Sequence, residues 1–170
     1  MLRICIKKEY MNTETNILFS LESIEEILYS ISSCDSMAHT CINRETLRVQ
    51  FMTQTFLNIK NNQVKIKVGT KYDIQEVSVL NHELLFVFGI NNIDNLVSVD
   101  RDNMKLNFKA DLIPTFINVA IGGMRGVLYE KVKSTILEAS PLPLIDLQEL
   151  LIQKTFHVEE LSLRCHIYII

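Results

Sequence analysis

An α+β fold is predicted by three features of the 170-residue sequence: two alternating apolar strands between Leu47 and Ile74, a further apolar strand near Phe86, and a long amphipathic helix beginning at Pro114. Strands lead and helices follow. Neither an internal repeat nor a Pro, Gly or Ser-rich linker divides the chain. Its length suits one domain, which at this size buries roughly 70% of the extended-chain surface.

The hairpin is the clearest local signal. Leu47, Val49, Phe51, Leu57 and Ile59 fall on odd positions with Arg48, Gln50, Gln54 and Asn58 between them. Asn61-Asn62 tolerates positive φ and suits a tight turn, after which Val64, Ile66, Val68, Tyr72 and Ile74 occupy even positions. Two antiparallel strands with one wet face each are expected. Val77 to Ile90 contains a third strand whose centre, Leu84-Leu85-Phe86-Val87-Phe88, is apolar on both faces and so predicts cover on both. Ile17 to Ile31 is ambiguous: Phe19 and Leu21 alternate as in a strand, while Leu21, Ile24 and Leu28 suit a helix face.

Asp111-Leu112-Ile113-Pro114 reads as a helix start, with Asp111 as cap and Pro114 in the first turn, where a missing N–H is harmless. Ile113, Phe116, Ile117, Ala120, Ile121, Met124, Leu128 and Val132 then recur at three- and four-residue steps, predicting a helix to about Leu137. Gly122, Gly123 and Gly126 lie inside it, each at a cost of about 0.5–1 kcal/mol relative to Ala. A kink or close packing on the sheet explains them, and so does close approach of the same helix from another subunit. Pro141-Leu142-Pro143-Leu144-Ile145 is expected to be extended. Asp146, with Glu149 three residues on, then caps a short helix carrying Leu147, Leu150 and Leu151.

Composition narrows the function classes. Apolar residues make up 48% and mean hydropathy is +0.16, so apolar surface is expected either between subunits or exposed to a ligand. A net charge of -3 without a basic stripe argues against nucleic acid. The apolar part of Met1–Tyr10 is too short for a signal peptide, and on reading the sequence no run reaches the roughly 20 apolar residues of a membrane span; a cytoplasmic location is expected. Cys5, Cys34, Cys41 and Cys165 lack paired spacing and are expected to be reduced thiols.

The order of strands, connecting segment, proline-started long helix, proline-containing loop and short helix resembles the SecB family of export chaperones. The local matches are Leu112-Ile113-Pro114 at the helix start and Leu142-Pro143-Leu144-Ile145-Asp146-Leu147-Gln148-Glu149-Leu150-Leu151 at the loop and last helix. Phe19-Ser20-Leu21-Glu22-Ser23-Ile24 resembles the family's first strand, which decides the ambiguous segment and makes a four-stranded antiparallel sheet, followed by the long helix and a short C-terminal helix. The likeness runs from about Asn16 to Leu151, so residues 1–15 are read as an N-terminal extension, 16–152 as the domain and 153–170 as a C-terminal extension.

The resemblance implies a non-enzymatic, ATP-independent chaperone without a cofactor, a homotetramer built as a dimer of dimers, its long helices between sheets and its outer grooves holding unfolded client polypeptides. Partners would be such clients, with the translocase motor ATPase or an antitoxin as further candidates. Candidate client-binding residues are Phe56, Phe86, Phe88, Leu96, Val97, Val99, Met104, Leu106, Phe108, Leu142 and Leu144, for each of which core packing is the competing role. Candidate interface residues are Ile117, Ile121, Gly122, Gly123, Met124 and Gly126. Two departures bear on export. The matching part of the first strand carries Leu28 and Ser32 where export members use acidic positions, and the tail alternates Leu161, Leu163, Cys165, Ile167 and Ile169 like a strand or a sticky end. Service to one dedicated partner fits as well as export.

Other chemistry is weaker. Cys34, His39 and Cys41 form a C-x4-H-x-C cluster without an evident fourth zinc ligand, and a polar loop with two incidental thiols is the plainer reading. Ser36 with His39, or Cys165 with His166, lacks the surroundings of a nucleophile and base. Gly122-Gly123-Met124-Arg125-Gly126 lacks the order of a phosphate loop and lies within a helix. Glu22, Glu25 and Glu26 are either a docking patch for a basic partner or a solvated sheet face. The alternative to a chaperone is a small-ligand-binding or enzymatic α+β domain with a pocket between sheet and long helix.

Overall fold

In a computed structural model, the residues described are 3–6, 17–32, 46–58, 60–91, 93, 97–100, 105–108, 112–145, 155–157 and 162–169. For 3–6, 17–18, 97–100, 105–108, 155–157 and 162–169 the description is of the backbone. Four antiparallel strands form the centre: β2 (Ile17–Ile31), β3 (Leu47–Asn58), β4 (Gln63–Ile74) and β5 (Val77–Ile90), in the order β2-β5-β4-β3. One long helix, α1 (Leu112–Val132), lies across them, giving the α+β class. Short β1 (Arg3–Ile6) adds to β2, while β9 (Ser162–Ile169) and β8 (Thr155–His157) add to β3, completing a seven-stranded sheet. β6 (Val97–Asp100) and β7 (Lys105–Phe108) make a separate hairpin.

Local chemistry explains most of this. The β3–β4 register joins Leu47 to Ile74 and Asn58 to Gln63, and Asn62 takes φ 53° in the connecting turn, as an asparagine readily does. β4 and β5 are joined by Gln75 and Glu76, with φ 49° and 69°, between the paired Ile74 and Val77. That is the backbone of a two-residue primed turn, reached here without glycine or asparagine. β2 pairs with β5 through two register shifts, between Leu21 and Ser23 and between Glu26 and Leu28. The bulges account for the ambiguous periodicity of Ile17 to Ile31, since each one moves the apolar positions out of strict alternation.

The core lies between α1 and one sheet face. Phe51, Ile66, Phe86 and Phe88 are buried from the sheet, and Phe116, Ala120 and Met124 from the helix. The Phe116 ring stacks on Phe88 at 4.7 Å and meets the edge of Phe19 at 4.9 Å. On the opposite sheet face Val87 is buried in register between Lys65 and Ser23, and Leu85 is half-buried.

Two expectations change. The helix ends at Val132, short of Leu137, because Ser134 turns left-handed at φ 60° and the Thr135 hydroxyl donates to the Val132 carbonyl at 2.6 Å. Leu137 is nevertheless buried, from the turns that follow. Leu112–Val132 is long and apolar enough to cross a membrane, with hydropathy 1.3, although no such run was read in the sequence; nine of its residues are buried in the fold. The cap Asp111 and the short helix expected from Asp146 lie outside the described residues.

Candidate functional site

Strand β2 combines an open edge with exposed apolar side chains. β1 pairs with Ile17 to Ser20, and from Leu21 to Ile31 that side of β2 has no strand neighbour among the described residues. Ile24, Ile27 and Leu28 are 46%, 49% and 38% exposed. The bulge between Glu26 and Leu28 leaves Ile27 without a partner on β5. Free backbone groups and apolar side chains on one strand suit a second extended chain, which can pair along the edge and bury these residues.

The acidic run on this strand is largely engaged within the chain. Glu22 accepts a hydrogen bond from Gln63 Nε2 at 2.6 Å, and Glu25 one from Ser23 at 3.0 Å. Glu26 bonds Lys131 Nζ at 2.6 Å, tying β2 to the last turn of α1, and the lysine contact holds its carboxyl below the usual range. The plainer reading, a charged and solvated strand, suits these contacts better than a free acidic docking patch.

Behind Glu26 lies a buried polar cluster. His82 Nε2 is 3.3 Å from Glu26 Oε2, near enough for electrostatic attraction but poorly aligned for a hydrogen bond. Tyr29 meets the His82 ring edge-on at 5.3 Å and donates its hydroxyl to the Lys131 carbonyl at 3.2 Å. Lys131 Nζ stands 4.4 Å from the Tyr29 ring centroid. Burial pushes the His82 imidazole below its ordinary pKa, against the pull of Glu26, and pushes Tyr72 up to about 12. Thr70 Oγ1, Tyr72 OH and His82 Nδ1 have no hydrogen-bond partner among the described residues.

The structure redistributes the residues singled out from sequence. Phe86 and Phe88 are fully buried beneath α1 and Leu142 is 6% exposed, so these three are core residues and not an outer groove. Phe86 and Phe88 share one strand face, and it is the face the helix covers. Phe56 is half-buried on the opposite face. Leu144 is 90% exposed, next to Pro143, whose carbonyl accepts a 2.7 Å hydrogen bond from Arg125 Nη2. Val97 pairs with Phe108 and Val99 with Leu106 in the backbone of the β6–β7 hairpin; Leu96 and Met104 lie outside the described residues.

Among the candidate interface residues, Ile117, Ile121 and Met124 are buried against the sheet and are unavailable to a second helix. Gly123 also faces inward, toward Phe86, whereas Gly122 and Gly126 are exposed with open space where a Cβ would stand. Cys34, Ser36, His39 and Cys41 lie outside the described residues. Cys165 and His166 are consecutive in β9, opposite Thr53 and Met52. Among the described residues, no three His, Cys, Asp or Glu side chains are grouped to hold a metal ion.

Sequence reasoning missed Ile24, Ile27 and Leu28 as a surface and missed the His82 cluster. The signal for the first was the break in alternation after Leu21. The second carried none, because Glu26, His82 and Lys131 come from three elements far apart in the chain. Compared with known proteins, the chain matches no protein-family model, no curated protein and no solved structure.

Proposed function

We propose that this protein is an ATP-independent chaperone that binds unfolded or extended client polypeptides, a SecB-like holdase acting for export or for one dedicated partner such as an antitoxin. The observation that carries the reading is the open, bulged edge of β2 with Ile24, Ile27 and Leu28 exposed along it. An extended client pairs with the free backbone of Leu21 to Ile31 and buries these side chains, each worth on the order of 1 kcal/mol given their partial exposure. Such contacts ask little of client sequence. Nothing in the binding step needs a proton transfer, a nucleotide or a cofactor.

The active form in this reading is a cytoplasmic homotetramer, a dimer of dimers. Exposed Gly122 and Gly126 leave the outer face of α1 low enough for another helix to approach closely, while Leu144 offers a further apolar contact. An export role adds the translocase motor ATPase as a partner.

Two measurements test the proposal. Light scattering over a dilution series is expected to give about four times the 19.6 kDa chain mass. Stoichiometric protein without ATP is expected to keep a chemically denatured test protein from aggregating, and Ile27→Glu with Leu28→Glu to weaken that effect several-fold without lowering Tm. Full aggregation of the test protein in the presence of folded tetramer would sink the idea.

A second reading, a small-ligand-binding or enzymatic domain, is favoured by the buried Thr70 Oγ1, Tyr72 OH and His82 Nδ1, which have no hydrogen-bond partner among the described residues. A polar ligand satisfying them would raise Tm in a ligand screen, and Tyr72→Phe would abolish the rise.

A further inference from the structure

The sheet edge opposite β2 is already filled, and what fills it indicates what else it accepts. β9 pairs antiparallel with β3 along an unbroken register from Val49↔Ile169 to Phe56↔Ser162. Leu163, Cys165, Ile167 and Ile169 stand opposite Thr55, Thr53, Phe51 and Val49, the buried row of β3, while Ser162, Arg164, His166 and Tyr168 stand opposite the outward row. The occupant is therefore an extended segment with apolar residues at every second position. Its pairing uses backbone groups that any such segment carries.

The attachment of β9 is that of a peripheral strand. Among the described residues it has a full-length neighbour only in β3; on its other side β8 contributes the three residues Thr155–His157. From Ile145, which packs against the core, to the start of β9 at Ser162 the chain passes through 16 residues, enough to let the strand leave while the core under α1 stays assembled. Strands at the side of a sheet open at lower free energy than central ones. When β9 leaves, β3 presents an eight-residue row of unpaired backbone beside Val49 and Phe51, from the same core that holds the sheet together.

We propose that the β3 edge is a strand-acceptor site, held in cis by β9, which an extended client segment with alternating apolar residues displaces by strand exchange. This deepens the chaperone reading and rests on it for the identity of the natural occupant. β9 is then a resident mimic of a client: it pairs with the β3 edge when the protein is idle and yields to a chain of the same pattern.

The register provides a lock. Thr53 and Cys165 are direct partners in the β3–β9 register, so Thr53→Cys puts two cysteines at facing backbone positions, for a cross-strand disulfide formed with an added oxidant and removed by reductant. The probe is a labelled peptide of residues 161–170 bearing Cys165→Ser. In the reduced, full-length Thr53→Cys protein it is expected to bind saturably; oxidation is expected to weaken binding at least tenfold and reductant to restore it. Peptide mapping is expected to place the link between residues 53 and 165 of one chain.

Equal peptide binding in the oxidised and reduced states would overturn the proposal, as would absence of binding in both. Failure of the 53–165 link to form in folded protein would remove β9 from this edge. A link running between two chains would assign the edge to a second copy. The parent reading is separated by a parallel aggregation assay. Redox-gated peptide exchange without any client protection would leave the acceptor edge standing and remove the chaperone; protection without peptide exchange would do the reverse.

Discussion

Gly123 faces the ring of Phe86 so closely that a Cβ on residue 123 would stand 2.5 Å from Phe86 Cε1. The glycine lets α1 settle onto the centre of β5, and the helix-forming propensity it sacrifices is offset by contact with a fully buried aromatic ring. Gly123→Ala is expected to destabilise the protein by about 1–3 kcal/mol, as overpacked core positions do. Gly122→Ala and Gly126→Ala meet open space and are expected to stabilise the single chain by about 0.5–1 kcal/mol. Urea unfolding of the three variants checks the contrast. If another helix approaches this face in an assembly, Gly122→Ala also lowers the mass seen by light scattering while leaving the protomer folded.

The turn between β4 and β5 holds two ordinary side chains at positive φ, Gln75 at 49° and Glu76 at 69°. An asparagine and a glycine reach this backbone with less strain. Gln75→Asn with Glu76→Gly is expected to add about 1 kcal/mol of stability, visible as a raised denaturation midpoint at constant m. Loss of stability would mean that the exposed Glu76 side chain has a contact worth more than the strain.

His82 makes the fold sensitive to mild acid. Burial holds its folded pKa below the ordinary 6.5, so the unfolded chain binds this proton first as pH falls. The contribution of neutral His82 is complete above about pH 6.5 and declines toward the lower folded value, at no more than about 1.4 kcal/mol per pH unit. Glu26, kept below 4.5 by Lys131, loses its charge at lower pH, so the upper part of the acid window belongs to the histidine. His82→Leu is expected to flatten the stability profile between pH 7.5 and 5.5, measured by urea titration at each pH. An unchanged slope would assign it elsewhere.

Tyr72 governs the alkaline side. Its hydroxyl is buried without a hydrogen-bond partner among the described residues, and burial pushes its pKa up to about 12. The folded protein keeps this proton where an unfolded tyrosine, with pKa 10.0, gives it up, so stability falls as pH rises from about 10 toward 12. Tyr72→Phe is expected to remove that fall and to change stability at pH 7 by no more than about 1 kcal/mol, because the lost hydroxyl leaves no partner unpaired. Circular dichroism melts at pH 7 and pH 11 separate the two effects.

Local signals determined the hairpin between Leu47 and Ile74, the turn at Asn62, the strand through Phe86 and the helix from Leu112, because apolar period, turn-forming asparagines and a first-turn proline are all local properties of the chain. Periodicity also placed alternating residues in the tail where β9 forms. The apolar rows of β3, β4 and α1 are the buried ones, as their period predicts, but what covers each row was settled only by packing. The same pattern that joins Phe86 to Phe88 serves an exposed groove or a covered core equally well, and α1 made it core. Likewise the three helix glycines are identical as letters, but the side that α1 turns to β5 puts Gly123 inward and leaves Gly122 and Gly126 outside. The exposure of Ile24, Ile27 and Leu28 depends on bulges set by pairing with β5, and the meeting of Glu26, His82 and Lys131 depends on contacts among three elements. Local sequence carries the period; contact between distant segments decides what each period covers.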